Sequence, residues 1–214
     1  MDPALNAAIK NENLFDPELK KVKFTHRHRK YGVFSNFVLS VGLSKGDFHS
    51  VEQFFQMSKF SDGPGTTEMS HEFSEVLKSA NTPSKVASMA KQPKHPFRLN
   101  GKVNPYTDQR ICREVLEIYN REVAPMRSDW DTQRLIVMCE ALRAKFDQHP
   151  MAKKLLLATH RRELIEHAPW DAYWGNGRNE RGQNMLGRLL MAIRNELILR
   201  DPEHTEIDTS EDED

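Results

Sequence analysis

Apolar residues recur at helical spacing in the stretch "SVEQFFQMSKF", which spans residues 50–60. The side chains of Val51, Phe54 and Phe55 fall on one side of a helix there, and that side is expected to face the core. Ser50 precedes the apolar run as a good N-terminal cap, and Gln53 occupies the position that completes a capping box. The pattern therefore predicts a helix that begins directly after Ser50.

The same periodicity predicts further helices downstream. The clearest is "DTQRLIVMCEALRAKFDQHP", and the last one carries apolar residues at i, i+3, i+4, i+7 and i+11 from Leu186. Thr82 and Pro83 mark another helix start, as a cap and a first-turn proline. The remaining predicted helices are "HEFSEVLKSA", the start of "MAKKLLLATHRRELIEHA" and residues near 105–122.

Short β-strands are expected between these helices. The stretch "KVKFTHRHRKYGVFSNFVL" mixes β-forming and basic residues, which predicts a short strand followed by a loop. In "VGLSKGDFHS" the pair Gly46-Asp47 is a candidate hairpin turn, and "RELIEHA" predicts another short strand. Because helices dominate over these strands, the predicted fold class is α+β, with a single helix-rich domain.

Charge divides the chain into a basic body and an acidic tail. All 31 Lys and Arg residues and 23 of the 31 Asp and Glu residues precede residue 201, which leaves residues 1–200 with a formal charge of +8. The segment 201–214 is typical of a disordered acidic tail. A basic body suits an anionic ligand such as a phosphate or a nucleic acid, although charge alone fits plain solubility equally well.

The length of 214 residues fits one domain with a substantial core, and no internal repeat divides it. No apolar run approaches the roughly 20 residues that span a bilayer, and the N-terminus lacks the pattern of a secretory signal. With only two Cys residues, a disulfide framework is not expected. These features predict an intracellular protein, cytoplasmic or nuclear, that has no membrane partner, and they do not indicate its oligomeric state.

Three polar residues interrupt the apolar pattern of the helix at residues 50–60. Glu52, Gln56 and Lys59 stand at i, i+4 and i+7, and a rise of about 1.5 Å per residue places Glu52 and Lys59 about 10 Å apart along the axis. A solvated helix face is the ordinary interpretation. The surrounding apolar residues instead favour the edge of a buried cleft, where a carboxylate can act as acid or base and a lysine as amine nucleophile or phosphate ligand.

A glycine-rich stretch, "DAYWGNGRNERGQ", precedes the last predicted helix. Gly175, Gly177 and Gly182 permit unusual backbone conformations, and N–H groups ahead of a helix favour an anion. Their spacing fits neither a dinucleotide-binding loop nor a P-loop, so the glycines alone favour an ordinary turn. Side chains that can contact a base or a sugar make a ligand site an equal alternative, and they are Asp171, Tyr173, Trp174, Asn176 and Asn184.

Basic and aromatic residues alternate in "THRHRKYGVFSNF". Arg27 and Arg29 can hold a phosphate and Phe34 can stack on a base, with a plain basic loop as the alternative. The nine His residues and two Cys residues show no metal-binding spacing, so no metal and no other cofactor is predicted.

Three segments together resemble the NADAR family, which is also called YbiA-like. They are "KYGVFSNF", "SVEQFFQMSKF" and "DAYWGNGRNERGQNMLGRLLMAIR". The resemblance covers residues 24–200, so residues 1–23 are interpreted as an N-terminal arm. Within the covered range, residues 93–125 are interpreted as an insertion. It implies a helix-rich α+β domain that hydrolyses N-glycosidic bonds at C1 of ribose.

The resemblance implies two types of substrate. One is ADP-ribose attached to guanine in DNA or RNA, and its removal restores the base. The other is a ribosylamino-pyrimidine phosphate of early riboflavin synthesis. A non-catalytic reader of ADP-ribose is a third alternative. The basic body favours the first, so the expected partner is an ADP-ribosylated guanine of nucleic acid or an ADP-ribose-like small molecule.

The resemblance also assigns residues to the site. Glu52 and Lys59 match the acidic residue and the lysine of the family's helix, while Asp171 and Trp174 match its "D-x-Y/F-W-G" loop. These four are the predicted catalytic residues. The predicted substrate-binding residues are Arg27, Arg29, Phe34, Ser35, Asn36, Gln56, Tyr173, Gly175, Asn176 and Asn184.

The sequence does not decide the role of each residue within this set. Cleavage passes through an oxocarbenium-like centre at C1, so either Glu52 or Asp171 activates water or steadies the cation. Trp174 stacks on the leaving base or closes the pocket. Lys59 either contacts a phosphate or attacks an opened sugar aldehyde as a Schiff-base amine.

Overall fold

The computed structural model describes residues 3–91, 98–99, 102–103 and 124–200 of the 214-residue chain. The described residues divide into two compact units, the first drawn from residues 36–145 and the second from residues 3–35 and 146–200. Helices are interspersed with short strands, and this confirms the predicted α+β class. No helix among the described residues combines the length and the apolar character that a bilayer crossing requires.

The helices are α1 (Pro3–Lys10), α2 (Val51–Ser58), α3 (Glu68–Ser79), α4 (Pro83–Ala90), α5 (Trp130–Gln148), α6 (Pro150–Leu157) and α7 (Met185–Arg200). The strands are β1 (Val22–Phe24), β2 (Val41–Leu43), β3 (Gly46–Phe48), β4 (Arg98–Leu99), β5 (Lys102–Val103) and β6 (Leu164–Glu166).

Helix α2 of the first unit packs against α3, α4 and β3. The Ser50 hydroxyl accepts a hydrogen bond from the Gln53 N–H at 3.2 Å, which confirms the predicted cap. The Gln53 side chain accepts from the His49 N–H at 2.7 Å, so the predicted capping-box bond to the Ser50 N–H is replaced by one to its neighbour. All eight residues of α2 are buried, and the helix therefore has no solvated face.

Strands β2 and β3 form an antiparallel hairpin in the first unit. Val41 pairs with Phe48 and Leu43 pairs with Gly46, which leaves residues 44–45 as the turn. The predicted turn at Gly46-Asp47 is wrong by two residues. Gly46 is instead the first residue of β3, with a φ of +117° that favours glycine over residues with a side chain.

In the second unit, β1 and β6 pair in parallel, with Val22 opposite Leu164 and Phe24 opposite Glu166. Both strands were expected, and the structure confirms them. Helix α7 packs on β6 and on α1. Gly187 of α7 lies against the Leu164 carbonyl so closely that a Cβ atom would collide with it, so glycine permits this helix–strand contact.

The N-terminal arm takes part in the core of the second unit. Its first residues form α1, which packs against α7 and buries Leu5 and Ile9. The predicted helix near residues 105–122 and the predicted disordered tail at 201–214 lie outside the described residues. Of the predicted insertion at 93–125, only residues 98–99, 102–103 and 124–125 are described.

Arg194 of α7 is fully buried and joins three segments of the second unit. Its Nη1 atom donates to the Thr159 hydroxyl at 2.7 Å and to the Arg162 carbonyl at 2.9 Å. Its Nη2 atom donates to the Leu14 carbonyl at 3.0 Å. Burial, followed by the charges of Arg161 and Arg162, lowers the pKa of Arg194 to about 10, so the guanidinium keeps its charge at neutral pH.

Replacing Arg194 is expected to destabilise the fold. We predict that Arg194→Ala lowers the free energy of unfolding by about 3 kcal/mol, because it leaves buried acceptors unpaired and opens a cavity. Urea unfolding followed by circular dichroism measures the change. Arg181→Ala removes an exposed arginine and is the control, with an expected change below about 0.5 kcal/mol. Equal stability of the two variants would contradict the prediction.

Candidate active site

Glu52 is a buried carboxylate, 5% exposed, that two side-chain amides hold at both oxygens. Asn36 Nδ2 donates to Glu52 Oε2 at 2.5 Å, and Gln56 Nε2 donates to Glu52 Oε1 at 2.7 Å. The Glu52 backbone N–H also donates to the Asn36 carbonyl at 2.9 Å. Because the first turn of a helix favours negative charge and both contacts come from N–H donors, this arrangement suits a carboxylate.

Lys59 follows α2 directly, and its ammonium lies against two aromatic rings of the first unit. Its Nζ atom is 5.4 Å from the centroid of the Phe55 ring and 5.8 Å from that of Trp130. The two rings contact each other at a centroid distance of 5.0 Å. The Lys59 carbonyl accepts from the Arg127 N–H at 2.9 Å, which fastens the segment leading to Trp130 beside the lysine.

Burial of Lys59 disfavours its charged form relative to water, whereas the faces of the two aromatic rings favour that form. Burial lowers the pKa of Lys59 below its ordinary value, while the charge of Glu52 raises it and the charge of Lys91 lowers it. The neutral amine is the form that attacks a carbonyl carbon. Lys59 is therefore suited to act as a nucleophile.

Two charge-removing substitutions should move the pKa of Lys59 in opposite directions. Glu52→Gln removes the charge that raises this pKa and is expected to lower it further, whereas Lys91→Met removes the charge that lowers it and is expected to raise it. NMR titration of isotopically labelled lysine side chains measures both shifts. Lys85→Met, which removes an ammonium bonded to Asn81, is the control. Shifts of the same sign in the two variants would contradict the assignment.

The loop at residues 171–184 is a compact element of the second unit. Asp171 Oδ1 accepts from the N–H groups of Tyr173 at 2.9 Å and Trp174 at 2.8 Å. The backbone N–H groups of residues 176, 177 and 182–186 all donate to carbonyls of the same unit. These groups are therefore not available to an anion, which narrows the expectation from the sequence to the other N–H groups of the loop and to side-chain donors.

The two predicted asparagines of this loop fasten it to the segment around β6. Asn176 Oδ1 accepts from the Ala168 N–H at 3.0 Å. Asn184 Oδ1 accepts from the Glu166 N–H at 3.0 Å, and its Nδ2 donates to the Leu164 carbonyl at 2.8 Å. Both amides thus have a structural role, and their contact with a ligand stays a prediction.

The glycines of the loop are needed for different reasons. Gly177 has a φ of +63°, in the left-handed region that favours glycine. At Gly175 a Cβ atom would lie 2.5 Å from the Ala168 Cβ, so that glycine provides space rather than an unusual backbone angle.

The remaining predicted residues lie in contrasting surroundings of the second unit. Phe34 is fully buried, with its ring centroid 5.7 Å from that of Phe24, and therefore packs in the core. Ser35 is buried as well. Trp174 is partly exposed and meets Tyr173 edge to face at a centroid distance of 5.0 Å. The exposed predicted phosphate ligands are Arg27 and Arg29.

The structure thus brings four predicted residues together in the first unit. They are Asn36, Glu52, Gln56 and Lys59. The aromatic enclosure of Lys59 by Phe55 and Trp130 is an addition that sequence reasoning missed. The only signal in the sequence is the aromatic residue at the start of α5. Nothing in the sequence shows that this residue, Trp130, reaches the end of α2.

The NADAR domain model matches residues 23–198 in one stretch. The N-glycosidase YbiA of Shigella flexneri is 31% identical over 179 residues, which cover 83% of this chain and 89% of that protein. The chloroplastic riboflavin biosynthesis protein PYRR of Zea mays is 29% identical over 185 residues, which cover 83% of this chain and 25% of that protein.

The fold has a similar counterpart among solved structures. The NMR structure of YbiA from Escherichia coli matches with a TM-score of 0.62 and 29% sequence identity, over 87% of this chain and 91% of that one. The matched range of the family model includes Asn36, Glu52, Gln56 and Lys59 as well as the loop at residues 171–184. The chain belongs to the NADAR domain family.

Proposed function

We propose that this protein is an N-glycosidase that hydrolyses a bond between a base nitrogen and C1 of a ribose. The observation that carries the proposal is the buried Glu52 carboxylate, held at both oxygens by Asn36 and Gln56. Lys59, which burial desolvates, directly follows α2, the helix that carries Glu52. The similarity to proteins named N-glycosidase YbiA supports the same reaction class.

The fixed carboxylate supplies what the proposed reaction requires at C1. As the C1–N bond breaks, positive charge develops on the sugar, and a carboxylate in a buried site stabilises that charge more strongly than one in water. The amide bonds from Asn36 and Gln56 keep the Glu52 oxygens oriented before substrate arrives. Glu52 can also accept a proton from the water that attacks C1.

Lys59 is proposed to act as the amine rather than as a phosphate ligand, because burial lowers its pKa and so enlarges the fraction of the neutral form that attacks a carbonyl carbon. In this route the sugar ring opens, the Lys59 amine adds to C1, and the base leaves with its nitrogen protonated. Water then adds to the resulting Schiff base, which releases the sugar and restores the amine. The net reaction consumes one water and divides the substrate into free base and free sugar.

The proposed substrate is ADP-ribose attached to guanine of a nucleic acid. Residues 1–200 carry a formal charge of +8, which favours a polyanion. The exposed guanidinium groups of Arg27 and Arg29 have no ion-pair partner among the described residues, so they are available for phosphates.

A second candidate substrate is a ribosylamino-pyrimidine phosphate. It is favoured by the similarity to a protein named for riboflavin biosynthesis, which extends over 83% of this chain. Both substrates present an N-glycosidic bond at C1 of a phosphorylated ribose, so both fit the chemistry proposed for Glu52 and Lys59.

One assay distinguishes these substrates. Guanine-ADP-ribosylated DNA and a ribosylamino-pyrimidine phosphate are incubated separately with the protein, and the released base is measured by chromatography. We expect release of ADP-ribose with restored guanine. Release from the pyrimidine alone would contradict the proposed substrate but not the reaction class. Binding of ADP-ribose without release from either compound would contradict the enzyme function and indicate a reader.

A further inference from the structure

We infer that Gln56 recognises a hydroxyl group of the substrate ribose through its side-chain carbonyl, in addition to holding Glu52. The inference rests on the proposed N-glycosidase function and assigns a sugar preference to that site. A ribose should bind better than the 2-deoxyribose that lacks the hydroxyl next to C1.

Gln56 carries a buried acceptor that none of the described residues pairs. The residue is 6% exposed, and its Nε2 atom donates to Glu52 Oε1 at 2.7 Å. Its Oε1 atom is buried and has no hydrogen-bond partner among the residues that the structure describes. Buried polar atoms are nearly always paired, so an unpaired one beside a proposed catalytic carboxylate points to a ligand donor.

Gln53 of the same helix shows what a purely structural glutamine does here. It is 1% exposed, and its Oε1 atom accepts from the His49 N–H at 2.7 Å. Its Nε2 atom donates to the carbonyls of Lys78 at 2.8 Å and Ala80 at 3.1 Å. Both ends of the Gln53 amide are therefore paired, whereas only one end of the Gln56 amide has a partner in the described part of the chain.

The orientation of the Gln56 amide is fixed by its neighbour. If its oxygen and nitrogen exchanged places, an oxygen would stand 2.7 Å from Glu52 Oε1, where two acceptors would repel each other. The bond to Glu52 thus assigns the carbonyl to the unpaired position. The group that binds there must donate a hydrogen bond.

The position of Gln56 on α2 indicates which donor this is. Gln56 lies between Glu52 and Lys59 in sequence, and the helical rise places it about 4.5 Å from Lys59 along the axis. With C1 of the sugar at the Lys59 amine, we assign the Gln56 carbonyl to the nearest hydroxyl-bearing carbon, which is the one next to C1. Its hydroxyl is a donor that ribose has and 2-deoxyribose lacks.

Calorimetry with the full-length protein tests the preference without requiring turnover. The probes are ribose 5-phosphate, 2-deoxyribose 5-phosphate and 2-deoxy-2-fluororibose 5-phosphate, the last of which cannot donate from its fluorine. We expect the wild type to bind ribose 5-phosphate about tenfold more tightly than either other sugar, the effect of one buried hydrogen bond. The comparison of the three sugars in the wild type alone tests whether the sugar hydroxyl donates a hydrogen bond, and it does not depend on any variant.

Two variants with substitutions on α2 serve as the test of the Gln56 carbonyl and as its control. Gln56→Met removes the acceptor and should bind the three sugars equally. Gln53→Met is the matched control, and it should lose stability but keep the preference for ribose.

Three results would overturn the inference. They are equal binding of the sugars by the wild type, tight binding of the fluorinated sugar, and an undiminished preference in Gln56→Met. The base-release assay separates this failure from that of the proposed function: release without a sugar preference refutes only the role of Gln56. If none of the sugars binds and no base is released, both proposals are refuted.

Discussion

Glu52→Gln should slow base release by about a thousandfold while leaving the fold intact. The substitution keeps the size of the side chain and removes the negative charge that faces the developing cation. Because Asn36 and Gln56 both donate to the carboxylate, one of their bonds meets an amide nitrogen in the variant and is lost. Single-turnover release gives the rate, and a thermal melt reports the fold.

Asp171→Asn is the matched comparison, because Asp171 is the other carboxylate that the sequence offers for this role. Its Oδ1 atom accepts from two backbone N–H groups of its own loop, which gives it a structural role. We expect a lower melting temperature and a loss of rate below about tenfold. A full rate in Glu52→Gln combined with an inactive, folded Asp171→Asn would transfer the catalytic role to Asp171.

Lys59→Arg should be nearly as inactive as Lys59→Met, with release slowed about a thousandfold in both. Arginine keeps a positive charge and can still bind a phosphate, but it is not a nucleophile at neutral pH. Borohydride reduction during turnover should therefore trap a protein–sugar adduct in the wild type and in neither variant.

Lys91→Met is the control for this experiment, because it removes a charge that acts on Lys59 and leaves the Lys59 amine in place. The adduct should form in this variant, with its pH dependence moved to higher pH. If Lys59→Arg restores most of the activity and the wild type gives no adduct, Lys59 is a phosphate ligand and the amine route is refuted.

Local patterns in the sequence were sufficient to predict much of the fold. The start of α2 follows from Ser50, whose hydroxyl bonds the helix, and the start of α4 follows from Thr82 and Pro83. The parallel pairing of β1 with β6 could not be predicted, because the two strands are distant in sequence and each carries only three residues. Short strands contain too little pattern to specify their partner.

Polar residues in the core were the least predictable part of the fold. Arg194 stands in a helical pattern where an arginine is ordinarily solvated, yet it is fully buried. Its acceptors are two carbonyls and a hydroxyl rather than a carboxylate. A search of the sequence for an oppositely charged partner would therefore not identify this interaction.

Part of the candidate site could also be predicted. The spacing of Glu52, Gln56 and Lys59 placed them on one helix, and the apolar residues between them indicated a cleft rather than a solvated face, which the burial of Glu52 and Gln56 supports. The aromatic contacts of Lys59 with Trp130 needed the three-dimensional structure. The structural role of Asn184 in its loop needed it as well. A side-chain amide can bond either to the backbone or to a ligand, and the sequence does not distinguish the two.

A crystal structure of the Glu52→Gln variant with uncleaved substrate is the decisive test of the proposed site, since it shows which residues lie next to the glycosidic bond. We expect the C1–N bond to lie beside the side chain of residue 52, with C1 within reach of the Lys59 amine and a ribose hydroxyl on the Gln56 carbonyl. A substrate bound in the same crystal with its C1–N bond away from α2 would contradict it.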